Sequence, residues 1–287
     1  MRGWHPVCIP ILAPGRGVRM LAPVKTFQPP EQIREFYLRA LQVLDEAGVE
    51  YLVGGGFAMT HYTGIVRDTK DLDIFVRPGE SRRTVDVLSA AGYRTERTWP
   101  HFLAKALSES EAFIDILFNS GNGLTPVDND WFLHAEHGDF LERRVRLVPA
   151  EEILISKCFV MERDRYDGAD VAHLILRRGQ QLDWPRLLKR FAGGHERVLL
   201  FHLILFGYVY PSEKHVVPAW LIDELEAQMH AEPKVDQPIC RGTYIAQHQY
   251  QIDIHQWGYQ DARMQPLGPL RPDDIARFAP PDAPPIR

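Results

Sequence analysis

The first regular pattern along the chain lies between Pro30 and Gly48, where Ile33, Phe36, Tyr37, Leu41, Val43 and Leu44 recur near helical spacing and a glycine closes the run. An amphipathic helix is predicted there. It leads into VEYLVGG, a short apolar strand ended by glycines. FAMTHYTG is then long enough for about two helical turns, and DLDIFV reads as a strand. PGESRRTVDVLSAAG predicts a helix that begins after Pro78 and stops at Gly92. HFLAKALSE and EAFIDILFN alternate apolar and polar positions and are separated by polar residues, which suits a hairpin. DFLERRVRLVPAEEILISKCFVMER predicts one further strand and then a helix starting near Pro149.

Four helical patterns follow in a row, DGADVAHLILRRG, WPRLLKRFAG, HERVLLFHLILFGYVY and PAWLIDELEAQMHA, with glycine or proline between them. This order predicts an α/β fold, a mixed sheet flanked by helices, followed by a helical C-terminal domain. The expected divisions are a disordered N-terminal extension over residues 1–29, an α/β core over 30–150, a helical domain over 151–231 and an irregular C-terminal tail over 232–287. Prolines at 6, 10 and 14 break the apolar start of the chain, and Met20 is an equally good start of translation.

Composition narrows the class. Of 287 residues, 45% are hydrophobic and 25% charged, values of an ordinary globular chain rather than a disordered or fibrous one. The net charge of −5, from 33 basic and 38 acidic residues, argues against a surface devoted to nucleic acid but leaves room for a local basic patch. Cys8, Cys158 and Cys240 are scattered and form no CxxC pair, as a reducing cytoplasm allows, so a cytoplasmic location is expected. No apolar run reaches the roughly 18 to 20 residues that span a bilayer, so no membrane partner is expected. The strongest run, VLLFHLILFGYVY from Val198, reads as a buried helix.

Candidate chemistry concentrates in GGGFAMTHYTGIVRDTKDLDIFV, residues 54–76. Strand alternation places Asp71 and Asp73 on one face and Leu72, Ile74 and Val76 on the other. Two carboxylates so close repel each other by about a few kcal/mol in a part-buried site, so a cation is expected between them. Oxygen-only ligands with open positions for phosphate oxygens describe a Mg²⁺ site. In EAFIDILFN the same alternation sets Phe113, Asp115 and Leu117 against Ile114, Ile116 and Phe118. If Asp115 shares the face of Asp71 and Asp73, three carboxylates suffice for one or two metal ions about 3.5 to 4 Å apart. Pairing with Arg67 or Lys105 is the structural alternative for Asp115. Gly54, Gly55 and Gly56 stand where a strand hands over to a helix, so bare backbone amides can approach a phosphate. Arg67 and Lys70, beside the acids, either bind nucleotide or neutralise the site. His248, Asp253 and His255 lack the spacing of a zinc site.

The glycines, the DLDIFV strand and the later FIDILF together resemble the nucleotidyltransferase fold of the DNA polymerase β superfamily: a glycine pair, a DxD strand and a third acid on a later strand. Gly54 and Gly55, or Gly55 and Gly56, match the pair; Asp71 and Asp73 match DxD; Asp115 matches the third acid. Many members carry serine after the pair, where this chain has Gly56 or Phe57. EEILISKCFVMERDRYDGADVAHLI further resembles the helical segment of bacterial stand-alone nucleotidyltransferases, including the AbiEii-like and MenT-like toxin group. That likeness implies that Lys157 reaches the triphosphate and that Asp170 or Asp167 orients it or supports Arg165. It also identifies the α/β core as a nucleotidyltransferase-like sheet. The implied activity is Mg²⁺-dependent transfer of a nucleoside monophosphate from an NTP, ATP among them, to a hydroxyl acceptor, with release of pyrophosphate. A small molecule, a tRNA end and a protein side chain are the acceptor classes the resemblance allows. The alternative is a non-catalytic nucleotide-binding module of a two-protein, toxin–antitoxin-like system.

Overall fold

The structure, a computed structural model, describes residues 29–66, 69, 71–109 and 112–275. Arg67 and Lys70, the expected N-terminal extension up to residue 28 and the last stretch of the tail lie outside the described residues. The first helix, α1 (Glu31–Glu46), turns its periodic residues Tyr37, Ala40, Leu41 and Leu44 into the core. Gly48, at φ +65°, then reverses the chain into β1 (Leu52–Val53). α2 (Gly55–Thr63) follows directly and ends on Gly64, which is left-handed as the C-terminal stop requires. β2 (Asp71–Phe75) and α3 (Ser81–Ala90) complete the first half of the core.

The second half supplies β3 (Arg94–Trp99), β4 (Leu103–Leu107), β5 (Phe113–Leu117), the short α4 (Asn129–Leu133), β6 (Glu136–Phe140) and β7 (Arg143–Leu147). These strands and the first two form one seven-stranded mixed sheet in the order β3-β4-β5-β2-β1-β7-β6. β2 runs antiparallel to β1 and parallel to β5, so the two acid-bearing strands are neighbours near the middle of the sheet. Leu72, Ile74, Ile114 and Ile116 are fully buried. Their burial fixes which way the alternating acids point.

Two strands depart from the expected pattern. β3 has no counterpart in the hydrophobic pattern, because as an edge strand it leaves most of its side chains half or fully exposed. The single strand expected around DFLERRVRLV is a hairpin of two, β6 and β7, turning through Leu141 (φ +47°) and Glu142 (φ +68°). Two-residue turns with both φ positive usually carry Asn-Gly or Asp-Gly, which is why this one does not show in the sequence.

The chain then becomes helical: α5 (Ala150–Cys158), α6 (Gly168–Arg178), α7 (Trp184–Arg190), α8 (Glu196–Val209) and α9 (Ala219–Ala231). α8 is not the fully buried helix its composition suggests. It buries Leu199, Leu200, Leu203 and Phe206 but leaves Ile204 61% and Tyr208 83% exposed. A buried ion network ties α5 to α7 and α4: Arg186 reaches Glu151 at 2.6 Å and also bonds Glu152, while Arg190 reaches Glu152 at 3.2 Å and also bonds Asp128. Beyond α9 come β8 (Ile239–Cys240), α10 (Gln251–His255), β9 (Gln260–Asp261) and α11 (Pro272–Ile275), with β8 and β9 paired in parallel. This segment is anchored on the rest of the chain. Asn122 donates to the carbonyl of Tyr244 at 3.1 Å, and the amide of Met161 to that of Ile245 at 2.9 Å. Most of the buried apolar residues form one cluster that runs from Tyr37 to Ala262. No helix among the described residues is long and apolar enough to cross a membrane.

Candidate active site

The register between β2 and β5 sets Asp73 directly opposite Asp115, and Asp71 opposite Phe113. All three carboxylates therefore project from the same sheet face. Asp71, Asp73 and Asp115 each offer an oxygen within 4.8 Å of the others, the one such group of potential ligands among the described residues. The donor set is hard oxygen throughout and half-buried, which fits Mg²⁺ better than a softer metal.

Burial and crowding disfavour the charged forms of Asp73 and Asp115. Burial raises the Asp73 carboxyl to about 7, with Asp71 and Asp115 pushing the same way and Arg165 and Lys157 opposing. Burial also raises Asp115, against the pull of Lys105. The Lys105 ammonium lies 2.7 Å from Asp115 Oδ1 and sits over the Phe113 ring, 3.9 Å from its centroid. Asp71 accepts a hydrogen bond from the Thr69 hydroxyl at 2.6 Å.

The glycines resolve into two kinds. A Cβ on Gly55, itself at φ +55°, would lie 1.7 Å from Asp73 Oδ2, and one on Gly54 would lie 2.3 Å from the Phe75 ring. At Gly56 a Cβ would meet nothing closer than Thr69, at 3.4 Å. Gly54 and Gly55 are therefore the pair on which the close approach depends, and Gly56 stands at the position that accepts a side chain. The Gly54 amide donates to the Asp73 carbonyl at 2.9 Å, which locks the entry to α2 against the acid-bearing strand.

Two cations approach from the helical half. Lys157, in the last turn of α5, is gripped by Asp167 at 2.9 Å and by Asp170 at 2.6 Å. Asp167 also takes the Arg165 guanidinium at 3.2 Å, and these two cations hold its carboxyl below the usual carboxylate range despite burial. Asp167 stands at the N-terminus of α6, yet its side chain caps no backbone amide there. It is committed to Lys157 and Arg165 instead. The sequence placed Asp115 and Lys157 among the candidates but gave Lys105 only as a structural alternative. The cross-strand register that pairs Lys105 with Asp115 is the signal that identifies it. His248, Asp253 and His255 form no ligand cluster among the described residues.

A family model described as "uncharacterised nucleotidyltransferase" matches residues 32–208, the whole of the sheet and the helices through α8. No curated protein matches the sequence. Among solved structures, the lincosamide antibiotic adenylyltransferase LnuA is 20% identical, with a TM-score of 0.37 over 52% of this chain and 98% of its own. The antibiotic-resistance factor ANT(2″)-Ia is 16% identical, with a TM-score of 0.39 over 64% of this chain and 96% of its own. An antigenic nucleotidyltransferase-like protein from Paracoccidioides brasiliensis is 15% identical, with a TM-score of 0.39 over 65% of this chain and 94% of its own.

Proposed function

The chain belongs to the family of uncharacterised nucleotidyltransferases, and from that premise we propose that it transfers a nucleoside monophosphate from an NTP to the hydroxyl of an acceptor. The observation that supports this most is the meeting of Asp71, Asp73 and Asp115 on one sheet face, beside Gly54 and Gly55, where a side chain would collide with Phe75 and Asp73. In this reading Asp71, Asp73 and Asp115 would hold Mg²⁺, which would supply charge to polarise the phosphates and to ease loss of the attacking hydroxyl's proton.

The remaining steps belong to the chain's own groups. Gly54 and Gly55 keep the start of α2 bare, so that backbone amides face the phosphates. The acceptor oxygen forms a bond to the α-phosphorus as the bond to pyrophosphate breaks, and Asp115 helps take the proton. Lys157, steadied by Asp167 and Asp170, offsets charge developing on the leaving pyrophosphate, with Arg165 beside it. Both cations oppose the rise of the Asp73 carboxyl, which supports a role for them beside the acids. The narrower likeness to the AbiEii-like and MenT-like group rests on this Lys157–Asp170 segment. ATP as the donor, a tRNA end as one acceptor class and a cytoplasmic setting belong to the same proposal.

The test is incubation with each labelled NTP, Mg²⁺ and pools of small hydroxyl compounds, tRNA and protein, with mass spectrometry of the products. Asp71→Ala should abolish any transfer while leaving the fold intact. Transfer that persists in Asp71→Ala, or wild-type protein that binds no NTP in the presence of Mg²⁺, would overturn the reading. Tight NTP binding that needs no metal, with no pyrophosphate released, would instead favour the non-catalytic module.

A further inference from the structure

Lys105 has no part in the transfer reaction as proposed, yet it forms an ion pair with one acid of the cluster, its ammonium 2.7 Å from Asp115 Oδ1. β4 pairs antiparallel with β5 so that Lys105 faces Asp115 directly, just as Asp115 faces Asp73 on the other side. Lys105, Asp115 and Asp73 thus form a row across three adjacent strands. The neighbours of Lys105 on β4, Ala104 and Ala106, are buried on the opposite face, so the lysine is fixed toward the acids by the same alternation that orients them. Its ammonium is also constrained laterally: it packs on the Phe113 ring and bonds Asp115 Oδ1 at 2.7 Å, with both side chains largely shielded, 21% and 15% exposed.

We propose that Lys105 is a built-in counter-cation that competes with a divalent metal for Asp115, so that the free protein holds metal weakly and takes it up together with the triphosphate. The inference rests on the nucleotidyltransferase reading of the same acids. The physical argument is one of charge. A fixed ammonium in contact with one carboxylate of the cluster removes part of that carboxylate's attraction for a metal and repels the metal across a short, part-buried distance. A triphosphate brings several negative charges of its own. With those present, the single positive charge of Lys105 is a small part of the local balance, and Asp115 becomes available. On this view the ion pair keeps the carboxylates satisfied while no substrate is bound, and Asp115 is oriented before the metal arrives.

The test is Mn²⁺ binding, followed by electron paramagnetic resonance on the intact protein, with and without the non-hydrolysable nucleotide α,β-methylene-ATP. Lys105→Met removes the charge and keeps the stem over Phe113; Lys105→Gln is a second, more polar variant should the first fold poorly, and Lys105→Arg restores the charge. Without nucleotide, Lys105→Met and Lys105→Gln should bind Mn²⁺ about tenfold tighter than wild type or more. Lys105→Arg should stay near wild type, and with nucleotide the gap should narrow to within about threefold. A merely structural role for Lys105 predicts the opposite sign, since a loosened site binds metal more weakly. Variants that bind Mn²⁺ no tighter than wild type in the absence of nucleotide would overturn the inference alone. Wild-type protein that binds no Mn²⁺ even with the nucleotide would overturn the nucleotidyltransferase reading, and this inference with it.

Discussion

At the scale of single residues, the glycine run separates what spacing can show from what contact decides. The sequence identifies three consecutive glycines before a DxD strand but leaves open which two matter, because the deciding neighbours, Asp73 and Phe75, are brought in by the pairing of β1 with β2. Gly55→Ala should displace the Asp73 carboxylate and force an L-residue into a left-handed backbone, costing about 1 to 3 kcal/mol of stability together with nucleotide binding. Gly56→Ser should fold with a midpoint close to wild type and keep nucleotide affinity, as thermal unfolding and titration with Mg²⁺–ATP will show. Asp167 carries the same lesson. Its place before an apolar helix suggests a cap, whereas its side chain is drawn to its near neighbour Arg165 and to Lys157, which the packing of α5 against α6 brings to it. Lys157→Met leaves Asp167 and the nearly buried Asp170 without that partner, and should lower stability by about 3 kcal/mol in denaturant titration.

Among the elements, those that bury one face were legible and those at the margins were not. β2 and β5 alternate cleanly and β4 does so from Ala104 on, because each has one face in the core, and α1 and α6 show their stripes for the same reason. β3 is an edge strand, and β6 buries only Gly138 and Phe140, so neither has a pattern to read. The β6–β7 turn can be improved: Glu142→Gly relieves a left-handed glutamate and loses only an exposed ion pair with Arg34. Chemical denaturation should show a net gain of about 0.5 to 1 kcal/mol. In the β8–β9 segment, Arg263 is buried against Asp261 at 2.7 Å, and Thr243 donates to the same acid at 2.7 Å. These partners hold the Asp261 carboxyl below its usual range. Its folded value is therefore lower than its unfolded one, so its stabilising contribution is complete above about pH 4 and is lost as the pH falls through the folded value. Asp261→Asn should cost about 3 kcal/mol at neutral pH by leaving Arg263 unpaired, and the gap from wild type should narrow under acid titration below about pH 4.

For the molecule as a whole, the buried residues run without a break from the sheet through the helices to the β8–β9 segment, and α2 packs on both α5 and α6. Thermal unfolding followed by tryptophan fluorescence and by far-ultraviolet circular dichroism should accordingly give coincident single transitions; two separated midpoints would show that the sheet and the helices unfold as independent units. The register of β5 against β2 carries a further meaning. Asp115 is flanked by Ile114 and Ile116, both fully buried. A slip of one residue would drive the carboxylate into the apolar core and turn two isoleucines out to water, so a mispaired chain exposes greasy surface and buries a charge in the same error. The acid proposed to serve the chemistry thus also polices assembly: a molecule that has folded stably has, by that fact, set its three carboxylates on the same side.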